Sequence, residues 1–161
     1  MEKSSKIIIS HRGNLTGPNT ATNGENHPKS IQDVLDEGFL CEVDARWIEG
    51  EGFFLGHDKP EYKVDKSFFN DHRLYIHCKD ILTFDKLHPY PNTYMKMFFH
   101  QTDDMTLVLN ADFFWSFPRA DILLTKRSIA VLPELVKDWK GLDICAGICT
   151  DYPMDYNNGS K

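Results

Sequence analysis

Phe39-Leu40-Cys41-Glu42-Val43-Asp44-Ala45-Arg46-Trp47 is the stretch that decides the fold. Side chains alternate across a β-strand with a period of two. Cys41, Val43 and Ala45 therefore share one apolar face, while Glu42, Asp44 and Arg46 share the other. Two carboxylates side by side on a buried face repel each other unless a cation or a proton lies between them. A hard divalent ion such as Mg²⁺ or Ca²⁺ suits such oxygen ligands. The competing reading is an edge strand with a wet, acidic face.

Short apolar runs recur on both sides of this strand. Lys6–Ser10 (KIIIS) is a β-branched run that ends at His11. Phe53–Gly56 follows the central strand after the turn EGEG. Leu74–Lys79, Tyr94–Phe99, Thr106–Leu109 and Asp143–Cys149 read as further strands, with shorter candidates at 114–117 and 122–124. Ser30 can cap a helix that runs to about Glu37 and stops at Gly38, and Asp80 can cap a second helix over 80–87. Pro133 breaks any single helix over 128–139. Apolar strands alternating with helices argue for a parallel sheet with helices outside. His11, Lys79, His100 and Asp151 then fall at or just past the C-terminal ends of strands, the edge that carries the chemistry of an α/β barrel.

The bulk composition narrows the function. With 161 residues, 41% of them hydrophobic, the chain suffices for one domain with a real core. A formal charge of −6 argues against an extended nucleic-acid surface, which needs clustered Lys and Arg. One phosphate can still be held where a metal or a few cations converge. Cys41, Cys78, Cys145 and Cys149 form no CxxC pair, and most lie in apolar runs, so a reducing, cytoplasmic setting is expected. No apolar run is long enough for a signal peptide or a membrane span. The NNGSK ending points to a loose tail from about residue 155.

The polar residues combine into one chemistry. Arg12 offers a planar fork to a phosphate, and Gly13 lets the backbone come close. His77 and Lys79 share a strand face, and a Lys beside an acidic metal site makes a phosphate contact. His11 and His57 have the near-neutral titration that a general acid and a general base need. Each is a surface or core residue when taken alone. Trp115 could stack on a substrate group, although its run FFWSF also reads as core. His100 can help close the site, or be a loop His in an acidic turn, and Asp151 can orient a cation or an active-site Arg, or be an ordinary turn residue.

HRG (His11–Gly13), EN (Glu25-Asn26), ExD (Glu42, Asp44) and HD (His57-Asp58) occur in that order, and TDYP (Thr150–Pro153) closes the chain. Together they resemble the glycerophosphodiester phosphodiesterase family, within the wider group of phosphatidylinositol-phospholipase-C-like phosphodiesterases. The resemblance implies a compact TIM-type (β/α) barrel over residues 1–161, distorted or incomplete and with short helices. It implies a divalent metal, Mg²⁺ or Ca²⁺ in the first place and Mn²⁺ or Zn²⁺ otherwise. By match, His11 and His57 form the acid/base pair, Arg12 holds phosphate, Glu42 and Asp44 bind metal, and Glu25 and Asn26 shape the loop beside the site. The family carries a third ligand Glu two residues before a Lys; LYIHCK puts His77 there and keeps Lys79. The expected activity is metal-dependent hydrolysis of a small phosphodiester. The alternatives are a phosphate-ligand or cyclic-nucleotide binding module without turnover, and a phospholipase-D-like lyase that forms a cyclic phosphate.

Overall fold

The computed structural model describes residues 6–88 and 94–156. Its frame is one ten-stranded mixed sheet. The strands are β1 (Ile7–His11), β2 (Leu40–Ile48), β3 (Gly52–Leu55), β4 (Tyr62–Val64), β5 (Leu74–Cys78), β6 (Lys96–Phe98), β7 (Met105–Val108), β8 (Phe113–Ser116), β9 (Ser128–Val131) and β10 (Gly147–Thr150). The β-strand expected over 39–47 is β2, the longest of them. One edge of β2 pairs in parallel with β5. Its other edge takes β1 near its start and the β3–β4 hairpin near its end. From β1 the sheet continues through β10, β9 and β8, all parallel, and β7 returns antiparallel on β8. The sheet curls until β7 approaches β6 through a single bridge, Met97 to Leu109.

This architecture is not the expected TIM-type barrel. That fold alternates strands with helices throughout. Here only α1 (Pro28–Asp36) and α2 (Ile81–Leu87) are α-helices among the described residues, so the molecule is a curled mixed sheet, a half-barrel. The crossovers late in the chain carry turns instead. Residues 117–127 form no helix, and 132–146 form only the 3₁₀ turn Pro133–Leu135. Leu132 and Asp138 take left-handed backbone angles there, which no helix accepts. β4 and β9 lie outside the strands read from the sequence, 122–124 is not a strand, and β10 starts four residues later than expected.

The helix ends also differ from expectation. α1 is capped by His27, whose Nδ1 accepts from Lys29 N at 3.0 Å, and Ser30 lies buried inside it. Ser30 Oγ instead accepts from Asn23 N, tying the long loop 12–27 to the helix. Asp80 caps α2 as expected, accepting from Thr83 N at 2.6 Å. Asp155 and Tyr156 close a 3₁₀ turn, and the rest of the expected tail lies outside the described residues.

Strand alternation sorts the side chains onto two faces. The outer face of β2 and β5 (Cys41, Val43, Ala45, Leu74, Ile76, Cys78) packs with Ile31, Val34 and Leu35 of α1. Across the sheet, Ala130 and Ile148 pack outward on Leu124 and Trp139. The concave face holds Ile9, Tyr75, Phe98, Trp115, Ile129, Val131 and Cys149 as an apolar floor. Each such large side chain withdrawn from water contributes about 1.5–3 kcal/mol. Two residues further along the same strands, the same face turns polar: His11 after Ile9, His77 after Tyr75 and Asp151 after Cys149. The register sets His11 beside Glu42 and Asp44 beside His77.

Candidate active site

Asp44 is the centre of this polar layer. It is fully buried, and four groups converge on it. Asn26 Nδ2 donates to Oδ2 at 2.9 Å, and the Asp44 N–H donates back to Asn26 Oδ1 at 2.8 Å. Arg12 Nε lies 3.2 Å from Oδ2; Lys79 Nζ at 3.2 Å and His77 Nδ1 at 3.0 Å approach Oδ1. Neither contact to Oδ1 is an aligned hydrogen bond, so the Lys79 charge rather than a directed bond holds that oxygen. Burial alone would raise the Asp44 pKa, but His77, Lys79 and Arg12 outweigh it and hold the carboxyl well below its usual range.

Glu42 is the opposite case. It is 2% exposed, and its Oε2 has no hydrogen-bond partner. Burial first, then the charge of Asp44, pushes its pKa up. Oxygen and nitrogen atoms of Glu42, Asp44 and His77 lie within 4.8 Å of one another. A buried carboxylate with an unpartnered oxygen, facing another carboxylate and an imidazole, is the donor set a divalent cation completes. The three residues therefore fit a metal ion.

The two expected acid/base histidines are built alike. His11 Nδ1 lies 2.8 Å from Asp151 Oδ1, and His57 Nδ1 lies 2.7 Å from Asp58 Oδ1. With Nδ1 engaged, Nε2 is the nitrogen left for a substrate. His11 is buried, which lowers its pKa, but the Asp151 hydrogen bond and the charge of Glu42 turn the net shift upward. His57 is half-exposed on a turn that Gly56 makes possible: φ is +145° there, and a Cβ would sit 2.1 Å from the Lys59 carbonyl oxygen. Arg46 clamps this turn by donating to the carbonyls of Gly56 and His57.

His11, Arg12, Glu42, His57, His77, Lys79, His100 and Trp115 line one cavity of about 260 Å³, with Phe117, Pro118, Val131 and Leu132 as its apolar wall. Glu25, Asn26 and Asp58 border a second, polar cleft of about 250 Å³ that shares Arg12 and His57 with the first. A larger depression of about 390 Å³ is bordered by Asp151, Glu134 and Asp155 with no cationic side chain; it lacks the means to hold a phosphate. Trp115 is 3% exposed and leans on Phe98 and Tyr75, so it acts mainly as wall. His100 stacks on His77 with ring centres 4.5 Å apart, and burial holds its pKa down to about 4, so it is neutral near pH 7.

Four residues escape the sequence reading. Asn14 is fully buried and donates through Nδ2 to both Glu25 Oε1 (2.7 Å) and Asp151 Oδ1 (2.9 Å). Glu134 accepts from Thr150 Oγ1 and the Asp151 N–H, fixing the end of β10. Arg46 holds the His57 turn, and Phe98 stacks on His77. Strand parity points to Phe98, which sits opposite His77 in the register; no local pattern marks the others. Among the described residues, no helix is long and apolar enough to cross a membrane. No family model, no curated protein and no solved structure matches this chain.

Proposed function

We propose that the protein is a divalent-metal-dependent phosphodiesterase acting on a small phosphodiester, of the kind the motif order HRG, EN, ExD and HD suggests. The observation that carries this reading is the unpartnered Glu42 Oε2 beside Asp44 and His77, in a cavity that also presents His11, His57, Arg12 and Lys79. Cations and a pair of carboxylate-held histidines around one metal-ligand set suit phosphoryl-ester cleavage better than any other common reaction. Four buried, free thiols agree with a reducing, cytoplasmic setting.

Glu42, Asp44 and His77 would hold the ion, which when bound supplies positive charge to the non-bridging phosphate oxygens. Arg12 and Lys79 add their charges from either side of Asp44. Glu25, 3.4 Å from Arg12 Nη1, keeps the guanidinium aimed. His57 Nε2 takes a proton from the attacking water or hydroxyl. His11, held by Asp151, gives its Nε2 proton to the leaving oxygen. Asp151 and Asp58 hold the two rings in the tautomers this exchange needs.

The test is alcohol release from a panel of simple phosphodiesters, with added divalent ions or with EDTA. His11→Ala and His57→Ala are each expected to lower kcat by about 10²–10⁴-fold. Unchanged turnover in the double variant would falsify the assignment. Tight binding of diesters without any product would identify a binding module instead.

A further inference from the structure

A nitrogen in the metal-ligand set has a consequence for which ion the site takes. Ca²⁺ prefers six to eight oxygen ligands and Mg²⁺ a near-ideal octahedron of oxygens. The chain supplies only two carboxylates here, and Asp44 is already shared with Arg12, Lys79 and Asn26. The third donor is the His77 imidazole, a ligand type that suits Zn²⁺ or Co²⁺, and to a lesser degree Mn²⁺, better than Ca²⁺.

His77 is also not free to turn away. Its ring packs against two parallel neighbours, Phe98 (centres 5.0 Å apart, planes within 8°) and His100 (4.5 Å, 11°), whose own centres are 6.2 Å apart, and Phe117 closes edge-on against His100 at 4.6 Å. This parallel stack keeps Nδ1 3.0 Å from Asp44 Oδ1 and 3.9 Å from Glu42 Oε1. Donors within 4.8 Å of one another need to close by only a small amount to reach metal bonds of about 2.0–2.2 Å. The stack thus presents a nitrogen, already oriented, to the unpartnered carboxylate of Glu42.

We propose that Glu42, Asp44 and His77 form a site selective for a first-row transition ion over Ca²⁺ and Mg²⁺, with Co²⁺ and Zn²⁺ ahead of Mn²⁺, His77 Nδ1 as the selecting ligand and the Phe98 and His100 rings packed on His77 as its support. This rests on the metal reading of the same three residues and is independent of what the loaded protein turns over.

The test uses the full chain, stripped with chelator and titrated calorimetrically with Mn²⁺, Co²⁺, Mg²⁺ and Ca²⁺ in turn. Co²⁺ is expected to bind tighter than Ca²⁺ by about 10²-fold, with Mn²⁺ between them, and the electron-spin-echo spectrum of bound Mn²⁺ to show a directly bound nitrogen. His77→Glu should abolish the nitrogen signal and shrink the Mn²⁺/Ca²⁺ preference at least about tenfold. His100→Ala, which keeps all three ligands and removes one of the two rings packed on His77, should weaken Mn²⁺ by about 10–100-fold. Ca²⁺ or Mg²⁺ binding as tightly as Mn²⁺, a wild-type spectrum without nitrogen, or no ion bound at all each overturns the proposal. Ca²⁺ binding tighter than Co²⁺ and Mn²⁺ in protein that still hydrolyses diesters would overturn it and leave the phosphodiesterase reading standing. Nitrogen-ligated Mn²⁺ with no turnover of any diester would do the reverse.

Discussion

Asn14 joins the two arms of the site. Its single amide nitrogen donates to Asp151, which holds His11, and to Glu25, which faces Arg12; its oxygen accepts the Thr20 and Ala21 N–H groups of the covering loop. Asn14→Ala leaves two carboxylates without their shared donor and two loop amides without an acceptor. A loss of about 1–3 kcal/mol in urea unfolding and about 10–100-fold in kcat/KM is expected; an effect on neither would show the hub to be idle. Asn14→Asp should be worse at pH 7, because it sets a third negative charge between two others. The His11–Asp151 pair has its own pH signature in metal-free protein. The raised His11 pKa stabilises the fold fully below the unfolded value of 6.5, and this contribution is lost as pH rises through the folded pKa. The Asp151 pKa is lowered despite burial, through His11 and Asn14, so its contribution is present above 3.8 and lost as pH falls through the folded value. The pair thus supports the fold most between those limits. In Asp151→Asn, proton NMR should find the His11 titration midpoint below that of the wild type, as burial gains the upper hand. These residues differ in how far the sequence announces them. His11, His57, Glu42, Asp44 and His77 stand at strand ends or on one strand face, where local parity places them. Asn14 meets Asp151 across 137 residues, and only the closure of the sheet brings them together.

Parity along a strand is legible because it is local, whereas the connection after a strand is set by distant packing. β1, β2, β5, β6, β7 and β8 all lie within a few residues of their expected places, and six of the nine strand pairings are parallel. The helices implied by that parallel sheet are mostly missing, because the later crossovers are built from turns around Pro118, Leu132, Pro133 and Asp138. β9 is hidden by the same proline: Ser128–Val131 is a clean apolar run, but Pro133 two residues on makes the wider window look mixed. One pairing shows how tightly the strands are set. Gly147 lies opposite Ile7, and a Cβ there would stand 2.5 Å from the Ile7 carbonyl oxygen and 2.7 Å from its Cβ. The contact is with backbone, which cannot swing aside as a side-chain tip can. Gly147→Ala must push β1 off β10 and carry His11 with it. It is expected to cost about 1–3 kcal/mol and to lower turnover; wild-type stability in a denaturant titration would rule out so close an approach.

Over the whole molecule, the curled sheet works as a cup with an apolar floor and a charged rim. Ile9, Tyr75, Phe98 and Ile129 seal the floor, so the rim charges have no water beneath them and must satisfy one another. Asp44 gathers three cationic or imidazole neighbours and an amide, although its Oδ1 accepts no aligned hydrogen bond, while Glu42 Oε2 has no hydrogen-bond partner. The site is thus the least balanced part of a protein that is otherwise well packed, and an ion that answers Glu42 should stabilise the entire fold. Binding to the folded state alone, at a concentration a hundred times its Kd, adds about 2.7 kcal/mol. For a chain of this size that raises Tm by roughly 5–10 °C. Asp44→Asn removes a ligand and leaves Arg12 and Lys79 facing each other without their anion, so this variant should start from a lower Tm and gain almost nothing from the ion. Glu42→Gln separates the two effects. It removes a buried charge that desolvation and Asp44 disfavour while keeping the shape, so its metal-free Tm should equal or exceed that of wild-type protein even as the metal-induced rise disappears. A metal-induced rise that survives in both variants would place the ion elsewhere in the molecule.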